Sequence, residues 1–253
     1  MMATPDRTAW LQGGKARCKT KPRRQLQPRR LVLLGAPGIG KGTQAELLCE
    51  GLGTCHLSTG DVFRGAKSMK ECDRSPALES ALEFMRRGEL VPDSTVLNMV
   101  RERVRCLTCP GGFLLDGFPR TVVQAEALGD ILKEQDVFLE AVLSYELPID
   151  KVVSRLSGRR TCPGCKAVFH VTARPSKVEG ICDHCGGQLY QREDDRPEAI
   201  RVRMEAYERS TAPLIDYYQR QGLLVSIGAE GTPEEIYQRS VAALNARSVA
   251  GSK

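Results

Sequence analysis

The apolar residues of this chain fall into short runs separated by longer mixed stretches. Leu31-Val-Leu-Leu34 is continuous and ends at Gly35, the texture of a strand buried on both faces of a parallel sheet. Comparable runs stand at Cys55–Leu57, Gly112–Leu115, Phe138–Tyr145 and Leu223–Ile227. Between them, amphipathic stretches at Thr43–Gly51, Pro76–Arg87, Ser94–Cys106, Val122–Lys133 and Pro197–Gln221 predict helices. This alternation predicts an α/β fold built on a doubly wound parallel sheet of five strands with helices on both faces. No repeat of about 20–50 residues is present.

Two segments break the alternation. Residues 158–195 are rich in Gly, Pro and Cys and lack a helical period, so they predict a small insert organised by a metal rather than by an apolar core. Residues 1–30 lack hydrophobic periodicity and carry Pro5, Pro22 and Pro28 among charges, which predicts a disordered basic arm. Both an organelle presequence and a solvated tail fit that arm, which is Arg-rich and acid-poor but contains no serine.

Charge changes the picture only when it is located. The chain's net charge is +6, but residues 1–30 hold nine basic residues against Asp6 alone, so the rest carries −2. A basic tail on a slightly acidic body is poor support for nucleic-acid binding, and no nucleic-acid partner is expected. No apolar run reaches the ~18 residues of a membrane span, so no membrane partner is expected either. Ten cysteines without an apolar signal segment at Met1–Trp10 point to a reducing compartment, the cytoplasm or, if the arm is a presequence, an organelle such as the mitochondrion.

The candidate chemistry begins at Gly35-Ala-Pro-Gly-Ile-Gly40-Lys41-Gly42-Thr43, directly after the first strand and opening a helix. Glycines there let consecutive N–H groups turn toward phosphate oxygens, the helix N-terminus adds its dipole, and Lys41 adds a point charge. Gly42 stands where a magnesium-ligating Ser or Thr is common, with Thr43 one position later. Cys162-x2-Cys165 and Cys182-x2-Cys185 are 16 residues apart, the spacing of a closed four-thiolate structural zinc site. His170 and His184 lie nearby as alternative ligands. Cys106-Leu-Thr-Cys109 is a CxxC without a second pair, and Cys18, Cys49, Cys55 and Cys72 read as core thiols or surface residues. With only three histidines and no catalytic triad, nucleophilic or metallohydrolase chemistry is disfavoured, whereas phosphoryl transfer needs neither.

The loop, Leu57-Ser-Thr-Gly-Asp61 with Arg64, Phe113-Leu-Leu-Asp-Gly-Phe-Pro-Arg-Thr121 with Gln124, Gly158-Arg-Arg160, and Asp194-Asp195 with Arg201 and Arg203 together resemble the adenylate kinase family. The resemblance runs from about Leu31 to about Ala243. It implies a P-loop core from 31–58, 92–157 and 196–253, a helical AMP-binding segment at 59–91 and a zinc-bearing lid at 158–195. The implied reaction is reversible transfer of the terminal phosphoryl group of ATP to AMP, giving two ADP, with Mg2+ on ATP and a structural Zn2+, by a protein expected to be a monomer.

By the same resemblance, Lys41, Asp116, Arg120, Arg159, Arg192 and Arg203 form the catalytic set. ATP falls to Gly38, Ile39, Gly40, Lys41, Gly42, Thr43, Arg155, Arg159, Val168 and Phe169. AMP falls to Thr59, Arg64, Glu89, Leu90, Val91, Gly117, Phe118, Pro119, Arg120, Gln124, Arg192 and Arg203, with the Gln124 amide reading the adenine edge. Zinc falls to Cys162, Cys165, Cys182 and Cys185. Helical spacing puts Arg201 and Arg203 about 200° apart, and Arg203 is favoured for the phosphate clamp. Two rivals fit parts of the chain: a kinase for another monophosphate or with GTP as donor, and a zinc-ribbon nucleic-acid module with a vestigial P-loop.

Overall fold

The computed structural model describes residues 10–11, 28–66, 76–87, 89–165 and 167–250; the side chains at 64, 76–78, 80 and 248–250 fall outside that description. Its strands are β1 (Arg29–Leu34), β2 (Cys55–Ser58), β3 (Gly112–Asp116), β4 (Ala141–Glu146), β5 (Arg159–Thr161), β6 (Val168–His170) and β7 (Leu224–Gly228). The helices are α1 (Lys41–Leu52), α2 (Thr59–Ala66), α3 (Pro76–Arg87), α4 (Asp93–Arg101), α5 (Val104–Leu107), α6 (Val122–Glu134), α7 (Ile149–Ser157), α8 (Pro197–Ala206), α9 (Pro213–Arg220) and α10 (Pro233–Ala250).

The main sheet has the order β2-β3-β1-β4-β7, and every pairing in it is parallel. From the central β1 the chain moves out to β2, returns to β3 and then crosses to β4 on the other side. Loops leaving β1 and β3 therefore meet at the carboxyl edge where the winding reverses, the place open α/β sheets put ligands. Successive β1 residues alternate between two cores. Val32 and Leu34 join Phe113, Leu115 and Val142 on one face, whereas Leu31 and Leu33 join Leu114, Ala141 and Leu143 on the other. Burial on both faces is what the unbroken apolar runs encode, each buried Leu or Val contributing about 1.5–3 kcal/mol. Strands β5 and β6 form a separate antiparallel pair at the root of the insert.

Two helices differ from their expected lengths. The stretch expected to be helical over Ser94–Cys106 breaks after α4, because Arg103 leaves helical geometry and its buried guanidinium donates to the Met99 carbonyl at 3.0 Å. The stretch expected over Pro197–Gln221 becomes α8, a π turn at Tyr207–Thr211, and α9. Pro213 has no N–H to continue the α ladder, and the Ala212 N–H instead reaches the Tyr207 carbonyl at 2.8 Å.

The arm expected to be disordered departs from that expectation at Trp10, which is 1% exposed and part of the same core as Phe113, and at Arg29 and Arg30, which extend β1. Residues 1–9 and 12–27 of the arm, 67–75 and 88 of the 59–91 segment, and the Arg64 side chain lie outside the described residues. Cys49 and Cys55 are buried core thiols, while Cys18 and Cys72 also lie outside the description. Among the described residues no helix is long and apolar enough to cross a membrane.

Leu143 sits at the centre of the sheet with no exposed surface. Leu143→Ala is expected to lower unfolding free energy by about 2–5 kcal/mol, read as a lower urea midpoint with an unchanged m-value.

Candidate active site

The loop between β1 and α1 is shaped by approaches that only glycine permits. A Cβ on Gly38 would stand 2.3 Å from Leu156 Cγ, and the residue has φ +80; at Gly35 a Cβ would meet the Tyr145 carbonyl at 2.8 Å, with φ +135. Helix α1 begins after Gly40 with no side-chain cap and no acidic residue in its first turn. Its first N–H groups are thus left to an anion, and the dipole favours one. Lys41 Nζ donates to the Gly35 and Ala36 carbonyls at 2.6 and 2.9 Å, folding the side chain over the loop. Burial lowers its pKa to about 7; Asp116 opposes that shift, and Arg120, Arg203 and Arg159 add to it.

Asp116, at the end of β3, faces this lysine. Burial pushes its carboxyl up, but a hydrogen bond from His56 with the charges of His56 and Lys41 outweighs that and holds it below the ordinary carboxylate value. His56 Nε2 lies 3.4 Å from Asp116 Oδ2. A carboxylate kept ionised beside a phosphate-binding loop suits a magnesium ion held through water.

Arg120 occupies a loop fixed on three sides. Its Nε donates to the Gly117 carbonyl at 2.8 Å, its N–H donates to Gln124 Oε1 at 2.8 Å, and its carbonyl accepts from Thr211 Oγ1 at 2.8 Å. Gln124 Nε2 donates to Asp93 Oδ1 at 2.7 Å, and the Asp93 carboxylate also accepts from Thr121 Oγ1. Across the cleft, Arg159 Nε and Nη2 donate to buried Asp195 at 2.7 and 2.5 Å, and Arg203 Nη1 donates to the same carboxylate at 3.2 Å. Arg192 Nε donates to Thr161 Oγ1 at 2.9 Å, and Arg155 braces the loop through the Ile39 carbonyl at 3.0 Å.

These groups converge on one cleft of about 1670 Å³. Its wall holds Gly38 to Thr43, Arg155, Arg159, Val168 and Phe169, together with Glu89, Leu90, Asp116, Gly117, Pro119, Arg120, Arg192 and Arg203. Arg203 is in that wall; Arg201 is exposed and outside it.

Four residues expected at the AMP side are not in the wall. Val91 and Phe118 are packed into the core, and Thr59 is buried with its hydroxyl donating to the Gly117 carbonyl at 2.9 Å. Gln124 is 1% exposed, its Oε1 accepting from the Arg120 N–H and its Nε2 donating to Asp93. Sequence reasoning missed the parts played by Asp93, His56 and Thr211, whose partners are distant in the chain. Only Pro92-Asp93 at a helix start carried a local signal for any of them.

In the insert, the sulfur atoms of Cys162, Cys165, Cys182 and Cys185 all lie within 4.8 Å of one another. Backbone N–H groups of Cys165 and Gly164 pull the Cys162 thiol pKa down to about 6, whereas burial pushes that of Cys165 up to about 12. Four converging thiols fit a tetrahedral zinc ion. The histidines stand apart from that group: His184 meets the Phe169 ring edge-on at 6.0 Å, and His170 Nδ1 accepts from the Thr172 and Ala173 N–H groups. Cys106 and Cys109 are buried in the core, with Cys109 Sγ 3.0 Å from Cys55 Sγ.

A glycine loop opening a helix from the central strand, a buried lysine and arginines from separate segments facing one cleft define a P-loop phosphotransferase. The sequence model of the adenylate kinase family matches residues 33–223. The adenylate kinase of Thermodesulfovibrio yellowstonii is 49% identical over 215 residues, covering 85% of this chain and 98% of the relative. That of Streptomyces avermitilis is 50% identical over 216 residues, 85% and 96% of the two chains, and that of Caldicellulosiruptor saccharolyticus is 51% identical over 203, 79% and 92%. The chain belongs to the adenylate kinase family, and it functions as a nucleotide kinase of that family.

The purified protein is expected to carry a single zinc ion, released by chelation with a fall in Tm. Cys182→Ser should reduce the metal content measured by atomic emission to near zero.

Proposed function

We propose that this protein transfers the γ-phosphoryl group of MgATP to AMP, reversibly, giving two ADP, and that it does so as a monomer. The observation that carries the reading is the single cleft of about 1670 Å³ with a P-loop on one wall and arginines from four segments around it. That volume exceeds the ~300–1,000 Å³ of a pocket for one small ligand and suits two nucleotides end to end.

In this reading the loop N–H groups and Lys41 hold the β- and γ-phosphates, and Arg120 holds the AMP phosphate with its planar fork. Glu89, Leu90, Gly117 and Pro119 shape the AMP side, while Val168 and Phe169 shape the ATP side. An AMP phosphate oxygen attacks the γ-phosphorus in line, the bond to the β-phosphate oxygen breaks, and no residue is phosphorylated. Lys41, Arg120, Arg159, Arg192 and Arg203 stabilise the equatorial charge, positioning supplying most of the catalysis. Asp116 is the residue that would hold magnesium, whose chemistry when bound is to neutralise the β- and γ-oxygens. Cys162, Cys165, Cys182 and Cys185 would hold a zinc ion with four thiolates, and its contribution there would be to structure. Gln124 acts on this reading by fixing the Arg120 loop.

ADP formation from MgATP with AMP, GMP, CMP, UMP or no acceptor tests the assignment: activity confined to AMP supports it, and equal ATP consumption without acceptor overturns it. Arg120→Ala should lower kcat at least about a hundredfold with Tm retained.

The lowered Lys41 pKa gives a further expectation. At pH 8 the free lysine is largely neutral, and a bound polyphosphate favours its charged form and raises the pKa, so MgATP binding must take up protons. Calorimetry in buffers of different ionisation enthalpy should detect that uptake at pH 8, far less of it at pH 6, and none in Lys41→Met.

A further inference from the structure

Trp10 lies outside the span 33–223 matched by the family sequence model, so the resemblance assigns it no role. It is nonetheless 1% exposed and shares a buried cluster with Leu57, Val62, Phe63, Val100 and Leu107. Its indole N–H and its carbonyl are both satisfied by distant residues. Its indole Nε1–H donates to the Ser58 carbonyl at 2.9 Å, and its own carbonyl accepts from Arg103 Nε at 2.6 Å.

The two partners stand at the two ends of one structural problem. Ser58 closes β2, the edge strand of the sheet, and the next residue opens α2, where the 59–91 segment departs from the core. A buried carbonyl on an edge strand needs a donor from outside the ladder, and the indole supplies it. Arg103 is buried at the α4–α5 corner, and α4 is the helix that receives the chain as that segment returns. Trp10 thus ties the point of departure to the element of return. The neighbouring Leu11 stands in the wall of the same cleft.

We propose that Trp10 is a positioning residue for the acceptor side of the cleft: its indole fixes the β2–α2 junction and so preorganises the segment that receives AMP. The inference rests on the AMP-acceptor reading above, whose own test is acceptor-dependent ADP formation by the unaltered protein. Preorganisation of the β2–α2 junction acts on binding at that junction, so its loss falls on the AMP side and leaves the P-loop side unchanged.

Because Trp10 is the only tryptophan of the chain, its fluorescence reports this contact directly. In the full-length protein the emission should resist acrylamide quenching and change when AMP is added, but not when MgATP alone is added. Trp10→Ala should raise KM for AMP by more than about tenfold, since it removes the packing of the ring as well as the hydrogen bond, with KM for MgATP and kcat within about twofold. Trp10→Phe keeps the ring, loses the donor and should fall between. If Trp10→Ala does not fold, Trp10→Phe kinetics and quenching of the unaltered protein decide the matter. Free quenching of the indole, equal rises in both KM values, or a lowered Tm with both KM values kept would each overturn the proposal. Absence of AMP-dependent activity in the unaltered protein would instead strike the acceptor reading, leaving the docking of Trp10 to the quenching result.

Discussion

The turn after β1 is the constraint on which the rest depends. Gly35 lies against the Tyr145 carbonyl and Gly38 against Leu156, so the turn is pressed between β4 and α7 with no space for a side chain at either position. That pressure is possible because β1 is buried on both faces and cannot shift toward either core. The same turn sets the first N–H groups of α1 and the Lys41 ammonium on one side of the cleft. Fold stability and phosphate affinity are therefore set by one stretch of backbone.

Around that turn the protein sets basic groups against acids, nine of each in the cleft wall. Asp195 is shared by Arg159 and Arg203, and Asp116 faces Lys41. A buried carboxylate with two guanidinium partners is a satisfied arrangement. Burial is the main cause of the lowered Lys41 pKa, and an anionic ligand beside it would favour its charged form.

What could be read from the residues divides by the range of the interactions. The strands, the P-loop and the cysteine pairs were legible because each is encoded within ten residues or fewer by apolar continuity, glycine placement or ligand spacing. The split of the last long helix was signalled by Pro213 and still missed, because the amphipathic period continues across it. The motif points Gln124 at a base, while its amide also donates to Asp93, 31 residues away, a partner no local pattern reveals. Trp10 was read as part of a solvated arm because its neighbours are charged, and its burial depends on Ser58 and Arg103, 48 and 93 residues distant. Composition describes the average of a segment and says little of one aromatic residue within it.

None of the four lid cysteines is in the cleft wall, although Arg159, Phe169 and Arg192 of the same insert are. The two parts still touch: Phe169 packs with Cys162 and Cys182 in one buried cluster, and Pro163, inside the first cysteine pair, also lines the cleft. Whatever holds the four thiols together therefore also sets where Phe169 and Pro163 stand, so the fastening of the insert reaches the cleft by packing and not by charge.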